Sequence, residues 1–170
     1  MIESVHSYVD INNNVKGNLL PEEQETNNDV EQEPDSENQR IELYIEVIKS
    51  VFYEKNSGGD FIAVKTETLE GLNSKQKTLI LEGLKELSPN VYDFEDKKRD
   101  ETKLNFGKDD SLEGTINGTL LWIELEEYVD NKALITGTSW FGNLASASFN
   151  YDAHFESGSW KLNIVYSIIS

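Results

Sequence analysis

Residues 144–169 read LASASFNYDAHFESGSWKLNIVYSII, and apolar and polar side chains alternate along this stretch. Such alternation is typical of strands with one buried and one solvated face. The dipeptide Ser157-Gly158 divides the stretch as a turn would, so the sequence predicts an antiparallel hairpin of two strands. The side chains expected on the buried face of the first strand are Ala145, Ala147, Phe149, Tyr151, Ala153 and Phe155.

The alternation extends in both directions from the turn and predicts a four-stranded meander. Its strands are Gly118–Val129, Lys132–Trp140, Leu144–Phe155 and Ser159–Ile169, and short turn sequences separate them. In the first strand, Leu121, Ile123 and Leu125 are expected to be buried, with Glu124 and Glu126 on the wet face and Lys132 or Lys161 relieving their repulsion. In the last strand, Trp160, Leu162, Ile164 and Tyr166 are expected to be buried, opposite Lys161, Asn163 and Ser167.

Two helices are predicted before the meander. Residues 41–55 place apolar side chains at helical spacing, and Asn56–Gly59 would end this helix. Asn73 with Gln76 forms a capping-box pattern at the start of the second helix, whose expected apolar face is Leu79, Ile80, Leu84 and Leu87. Short strands are predicted at Phe61–Val64, buried on both faces, and at Asn90–Phe94. The fold class predicted is α+β, with two N-terminal helices packed on one face of a curved antiparallel sheet.

Charge divides the chain into a tail and a domain. The 170 residues carry a formal charge of −17, and residues 1–40 hold ten acidic and two basic residues. Because residues 21–40 contain one aliphatic side chain, Val30, we expect 1–40 to be a disordered acidic tail or linker and 41–170 to be a single domain. The strong negative charge argues against nucleic acids and anionic membranes as partners, since both are polyanions.

The sequence also limits which cofactors and which cellular location are expected. The absence of cysteine excludes disulfides and thiolate metal sites, and no cofactor or metal ligand set is predicted. No apolar run is long enough for a membrane helix, and residues 1–20 do not resemble a signal peptide. A cytoplasmic location follows as the chain stands, whereas loss of an upstream leader would imply an extracytoplasmic one.

The helices, the meander and the closing segment Ser157–Leu162 together resemble the NTF2-like and cystatin-like group, in which a turn followed by Trp-Lys-aliphatic often begins the last strand. Residues 41–170 also resemble small bacterial proteins of unknown function, many with a leader or a lipid anchor. The segments that carry this second resemblance are Asp60–Val64, Lys75–Leu87, Ser139–Ala145 and Ile168–Ser170. The first resemblance implies the NTF2-like or cystatin-like arrangement, and the second implies an extracytoplasmic location.

Five residues are candidates for a ligand or partner surface. Trp122, Trp140 and Phe141 would line an apolar pocket, or Trp140 and Phe141 would instead form a patch at a hairpin end for a protein partner. Large aromatic residues are, however, more often buried in the core. Asp152 and His154 are two residues apart on one predicted strand and therefore share a face. A histidine with a carboxylate suits general base catalysis or, with further ligands, a metal site, while the plainer interpretation is two surface residues near a strand end.

Three functions are compatible with these observations. The leading hypothesis is a non-catalytic binding or interaction domain for a protein, a peptide or a small apolar ligand, since no nucleophile, metal or phosphate motif is present. The first alternative is an immunity-type protein that neutralises a basic toxin, suggested by the negative charge. The second is an isomerase or dehydratase of the NTF2-like kind, which requires Asp152 and His154 to face an enclosed apolar cavity. The sequence does not indicate the oligomeric state.

Overall fold

The computed structural model of the protein describes residues 34–55 and 59–170. Its elements, in chain order, are α1 (Pro34–Glu54), β1 (Phe61–Val64), a single 3₁₀ turn (Thr66–Thr68), α2 (Ser74–Gly83), β2 (Val91–Asp93), α3 (Phe94–Lys97), β3 (Leu104–Phe106), β4 (Leu112–Thr115), β5 (Gly118–Val129), β6 (Lys132–Gly142), β7 (Ala145–Glu156) and β8 (Ser159–Ile169). The fold is therefore α+β, as predicted, with a large, open and mostly antiparallel sheet.

The long strands β5, β6, β7 and β8 form the predicted antiparallel meander, with boundaries within two residues of those expected. At the β7–β8 turn, Ser157 and Gly158 have φ values of 53° and 79°, the left-handed pair that a tight hairpin requires. Strand β1 adds to β5 in parallel, and β2 adds to β1 in parallel. The expectation of a purely antiparallel sheet is therefore wrong at this side, where α2 provides the crossover from β1 to β2.

Helices α1 and α2 pack on the same face of the sheet and enclose the main core. Val47 and Val51 of α1, Ile80 of α2 and Tyr151 of β7 are fully or almost fully buried there. Strand β1 is buried on both faces, as predicted, because a smaller cluster centred on Phe61, Ala63 and Leu120 covers its other side.

Helix α1 begins at Pro34, earlier than the predicted start at Ile41. Proline suits the first turn of a helix because its φ angle is already helical and its missing N–H is not needed. Two hydrogen bonds from residues distant in sequence hold the first two turns: Trp160 Nε1 donates to Gln39 O at 2.7 Å, and Gln76 Nε2 donates to Glu37 Oε2 at 2.8 Å. The predicted tail lies outside the described residues up to residue 33, as do three of the four residues expected to end α1, 56–58.

The capping box of α2 is present: Asn73 Oδ1 accepts from Gln76 N, and Gln76 Oε1 accepts from Asn73 N. The predicted apolar face of this helix is correct for Ile80 and Leu84, which are buried, but wrong for Leu79, which is 50% exposed. The helix also ends at Gly83, before the Ser88-Pro89 stop signal expected from the sequence. A short helix buries only the few side chains that its partner elements reach, and Leu79 lies outside that contact.

Candidate functional site

The structure brings two of the predicted site residues together on the sheet face opposite to α1. Trp122 of β5 and Trp140 of β6 are half-buried and pack in the smaller cluster with Leu120 and Leu112. They line a cavity of about 140 Å³, in which Lys65 Nζ lies 4.6 Å from the centroid of the Trp122 ring. This volume is well below the ~300 Å³ of a typical small-molecule site, and the lysine stacks on the aromatic wall.

Phe141 does not join the two tryptophans in lining that cavity. It occupies an irregularity in the β6–β7 pairing, between Trp140, which pairs with Ser146, and Gly142, which pairs with Ala145. Phe141 is half-buried, and a Cβ atom added to Gly114 would come within 2.9 Å of its carbonyl oxygen. Its backbone thus packs closely against β4.

Asp152 and His154 lie on the same face of β7, as predicted, with His154 Nε2 2.9 Å from Asp152 Oδ1. This is the face turned away from α1, since Ala153 between them is buried in the core. The Asp152 side chain is 53% exposed and borders a groove along the β5–β6 turn whose lining includes Glu127, Asp130 and Lys132. The pair therefore does not face an enclosed apolar cavity, which the enzyme alternative requires.

The two groups of predicted residues are well separated. Asp152 pairs with Leu134 of β6, whereas Trp122 pairs with Thr138, four residues further along the same strand. At about 3.3 Å per residue, this places them about 13 Å apart along the sheet. Within the described residues, no three acidic or histidine side chains are grouped as a metal site would need, and no helix there has the length and apolar character to cross a bilayer.

A different surface stands out in the structure: the second half of β8, Ile164–Ile169, which we call the β8 edge. In the described part of the chain, β8 pairs with β7 alone, so one side of its backbone is free. Five large apolar side chains of this segment are between 49% and 63% exposed, namely Ile164, Val165, Tyr166, Ile168 and Ile169. The predicted burial of Ile164 and Tyr166 is wrong, while that of Trp160 and of the core-packed Leu162 is correct.

A β-bulge at Val165 changes which side chains of the β8 edge lie on each face of the sheet. Tyr151 pairs with Ile164 and Asn150 with Tyr166, so Val165 is the extra residue. An extra residue reverses the alternation beyond it. Tyr166 is therefore on the face away from α1, and Ser167, paired with the buried Phe149, is on the helix face, opposite to both predictions.

Helix α1 borders the β8 edge on one face. Tyr151 Oη donates to Ser50 Oγ at 3.1 Å, which places this flank of α1 beside the Tyr151–Ile164 pair. Burial and, to a lesser extent, the nearby Glu54 carboxylate raise the pKa of the Tyr151 phenol. Glu46 and Glu54 lie one turn before and after Ser50, so both carboxylates are on the flank that faces β8.

A hydrogen-bonded group borders the β8 edge on the other face. Asn150, 2% exposed, donates through Nδ2 to Glu126 Oε1 and to Thr136 Oγ1, each at 2.8 Å. Thr136 Oγ1 in turn donates to Glu126 Oε1 at 3.1 Å. A lysine was expected to offset the charge repulsion at Glu126. The structure instead shows these hydrogen bonds, which keep the Glu126 carboxylate over β6 and β7.

Sequence reasoning missed the β8 edge, although a signal was present. From Ile164 to Ile169 the sequence reads IVYSII, in which the apolar–polar alternation of a half-solvated strand fails. Comparison of the chain with protein-family models, with curated proteins and with solved structures found no match.

Proposed function

We propose that this protein is a non-catalytic interaction domain that binds an extended segment of another protein by strand addition to the β8 edge. The observation that carries the proposal is a strand half with five exposed apolar side chains and a backbone side that no described strand pairs with. An incoming strand satisfies the unpaired N–H and C=O groups and packs its own side chains beside the apolar side chains on each face.

The β8 edge lacks the usual protection of an exposed strand. Edge strands commonly carry lysine, proline or inward-pointing charges that prevent pairing with other chains. Residues 164–169 contain no charged residue and no proline, and Lys161 lies before them, opposite His154. The bulge at Val165 twists the edge but leaves Tyr166, Ile168 and Ile169 exposed. Such a segment is typical of a binding surface.

Peptide selection tests the proposal directly. Random peptides of about twelve residues, displayed on phage and selected on the full chain, should converge on alternating β-branched and aromatic residues. Only alternate amides of an added strand face its neighbour. N-methylation of one alternating set of amides in a selected peptide should therefore abolish binding, and methylation of the other set should preserve it.

Two chain variants locate the binding. Ile168→Lys places a charge in the β8 edge and should abolish binding of the selected peptides. Leu144→Lys changes a side chain that is 91% exposed at the β6–β7 turn and should leave binding unchanged. Equal binding to both variants would contradict the proposal.

The finer assignment of the fold is part of the same proposal. We infer a cystatin-like or NTF2-like arrangement, and its support is α1 packed across the four-stranded meander β5–β8. The parallel strands β1 and β2 and the hairpin β3–β4 are additions to that arrangement. An experimental structure in which α1 left the meander uncovered would contradict the assignment.

A further inference from the structure

We propose that the segment bound at the β8 edge is cationic, with an apolar centre flanked by lysine or arginine. This inference rests on the proposed function, because it names the chemistry of the partner at the same surface. Its basis is the charge that borders the edge on each face of the sheet.

On the helix face, the apolar centre of the partner would meet Ile164 and Ile169, with Glu54 near Tyr151 on the neighbouring flank of α1. Glu46 lies further back on the same helix, beside Gly158–Trp160 at the start of β8. Glu46 is 3.8 Å from Lys49, and that lysine is much closer to Glu86, at 2.7 Å. The carboxylate of Glu46 is therefore only weakly compensated by Lys49.

On the opposite face, Tyr166 and Ile168 are the apolar contacts, and two further carboxylates lie nearby. Glu126 is bonded to Asn150, the residue that pairs with Tyr166. Asp152 pairs with Asn163, one residue before the β8 edge begins. The hydrogen bonds from Asn150 and Thr136 hold Glu126 in place without neutralising its charge.

The geometry allows a partner's basic side chains to reach these groups. Neighbouring strands are about 4.8 Å apart, so an added strand lies about 10 Å from β7. This is comparable to the Debye length of about 8 Å at physiological ionic strength, and long basic side chains shorten the distance further. Lysines of the chain itself lie beside two of the four carboxylates, since Lys49 is 3.8 Å from Glu46 and Lys132 lines the groove that Asp152 borders. The attraction for a basic side chain therefore rests mainly on Glu54 and Glu126.

A second copy of the chain is disfavoured by the same charges. Two copies that paired through β8 would place identical acidic flanks opposite each other, and each chain carries a formal charge of −17. A cationic segment instead gains attraction on both faces, and the long-range field of the protein speeds its association.

Three synthetic peptides test the inference on the full chain. They share one alternating valine–threonine centre and carry lysine, serine or glutamate at both ends. We expect the lysine peptide to bind at least about tenfold more tightly than the glutamate peptide at low salt, with the difference shrinking as salt is raised. Fluorescence anisotropy of labelled peptides measures each affinity.

Paired variants identify the groups that recognise the cation. The double variant Glu54→Gln with Glu126→Gln should lose most of the preference for the lysine peptide while still binding the serine peptide. The control is Glu67→Gln with Glu101→Gln, which removes the same charge from exposed sites away from β8 and should keep most of the preference.

The outcomes separate this inference from the proposed function. Equal affinity for the lysine and glutamate peptides, with binding still abolished by Ile168→Lys, overturns the cationic partner alone. Failure of every peptide to bind at the β8 edge overturns the proposed function as well. A dimer seen by sedimentation and lost in Ile168→Lys identifies a second copy as the occupant and also overturns the cationic partner.

Discussion

Gly137 of β6 lies directly beneath Val51 of helix α1: a Cβ atom added to this glycine would be 2.6 Å from Val51 Cγ2 and 2.9 Å from Val47 Cγ1. Helix α1 therefore packs directly against the backbone of β6 at the centre of the meander. This close approach lets α1 bury one face of β6 and β7 while β8, at the margin, is covered only in its first half.

The variant Gly137→Ala tests this packing. Because both valines belong to a fully buried helix face, they have little room to move, and we expect a loss of about 1–3 kcal/mol in the free energy of unfolding. Urea denaturation of variant and parent measures it. Gly59→Ala is the control, since no atom of the described residues lies within 4 Å of the added Cβ atom there; a similar loss in both variants would contradict the explanation.

The capping box of α2 provides a second prediction. Asn73→Ala removes the acceptor for Gln76 N and should lower the free energy of unfolding by about 1 kcal/mol. Asn73→Ser preserves a capping oxygen and should restore most of the stability. Thermal and urea denaturation of the two variants check this, and equal losses for alanine and serine would show that the cap is not the cause.

The buried phenol of Tyr44 should make the stability of the fold depend on pH in the alkaline range. Burial raises the pKa of its phenol to about 12, and its hydroxyl donates to Glu70 O at 2.9 Å. Because the unfolded pKa is about 10, the folded state retains its proton longer. The contribution of this phenol to the free energy of unfolding is complete below pH 10. It is lost as pH rises from 10 to 12, which lowers the free energy of unfolding by roughly 2–3 kcal/mol.

The variant Tyr44→Phe should therefore be less stable than the parent at pH 8, by about 1 kcal/mol for the lost hydrogen bond, but should lose less stability between pH 10 and pH 12. Urea denaturation at several pH values measures both effects. Tyr53→Phe, at an exposed position, controls for removal of a phenol. Parallel pH curves for Tyr44→Phe and the parent would contradict the prediction.

The β8 edge should limit the solubility of the free protein. Ile168→Lys adds a charge at a side chain that is 63% exposed, so we expect the free energy of unfolding to change by no more than about 0.5 kcal/mol. Aggregation at high salt, measured by light scattering, should fall because a charged edge resists pairing. Leu144→Lys changes an exposed leucine outside a strand and should have a smaller effect.

Local patterns were sufficient to predict most elements and their buried faces. The alternation around Phe149 and Tyr151 located β7, and the Asn73–Gln76 pair located the start of α2. Both patterns depend on residues only a few positions apart. They failed at Leu79 and at Pro34, where burial and helix formation depend on contacts with distant segments.

The candidate site was predicted much less well, because it depends on position within the sheet. Trp122 and Trp140 do meet, and Asp152 does contact His154, but neither pair forms an enclosed site of useful size. The β8 edge required knowledge of which strand lies at the margin, which residue forms the bulge and how far α1 extends.

The amino-acid sequence by itself determined the α+β class, the four long strands, the two main helices and the acidic character of the chain, since each follows from local periodicity or composition. Only the tertiary structure decided that β1 and β2 join the sheet in parallel, that Val165 reverses the alternation of β8, and that the other described elements leave Ile164–Ile169 exposed. The physical reason is that strand pairing and burial depend on contacts between residues distant in sequence, and a local pattern contains no information about those contacts.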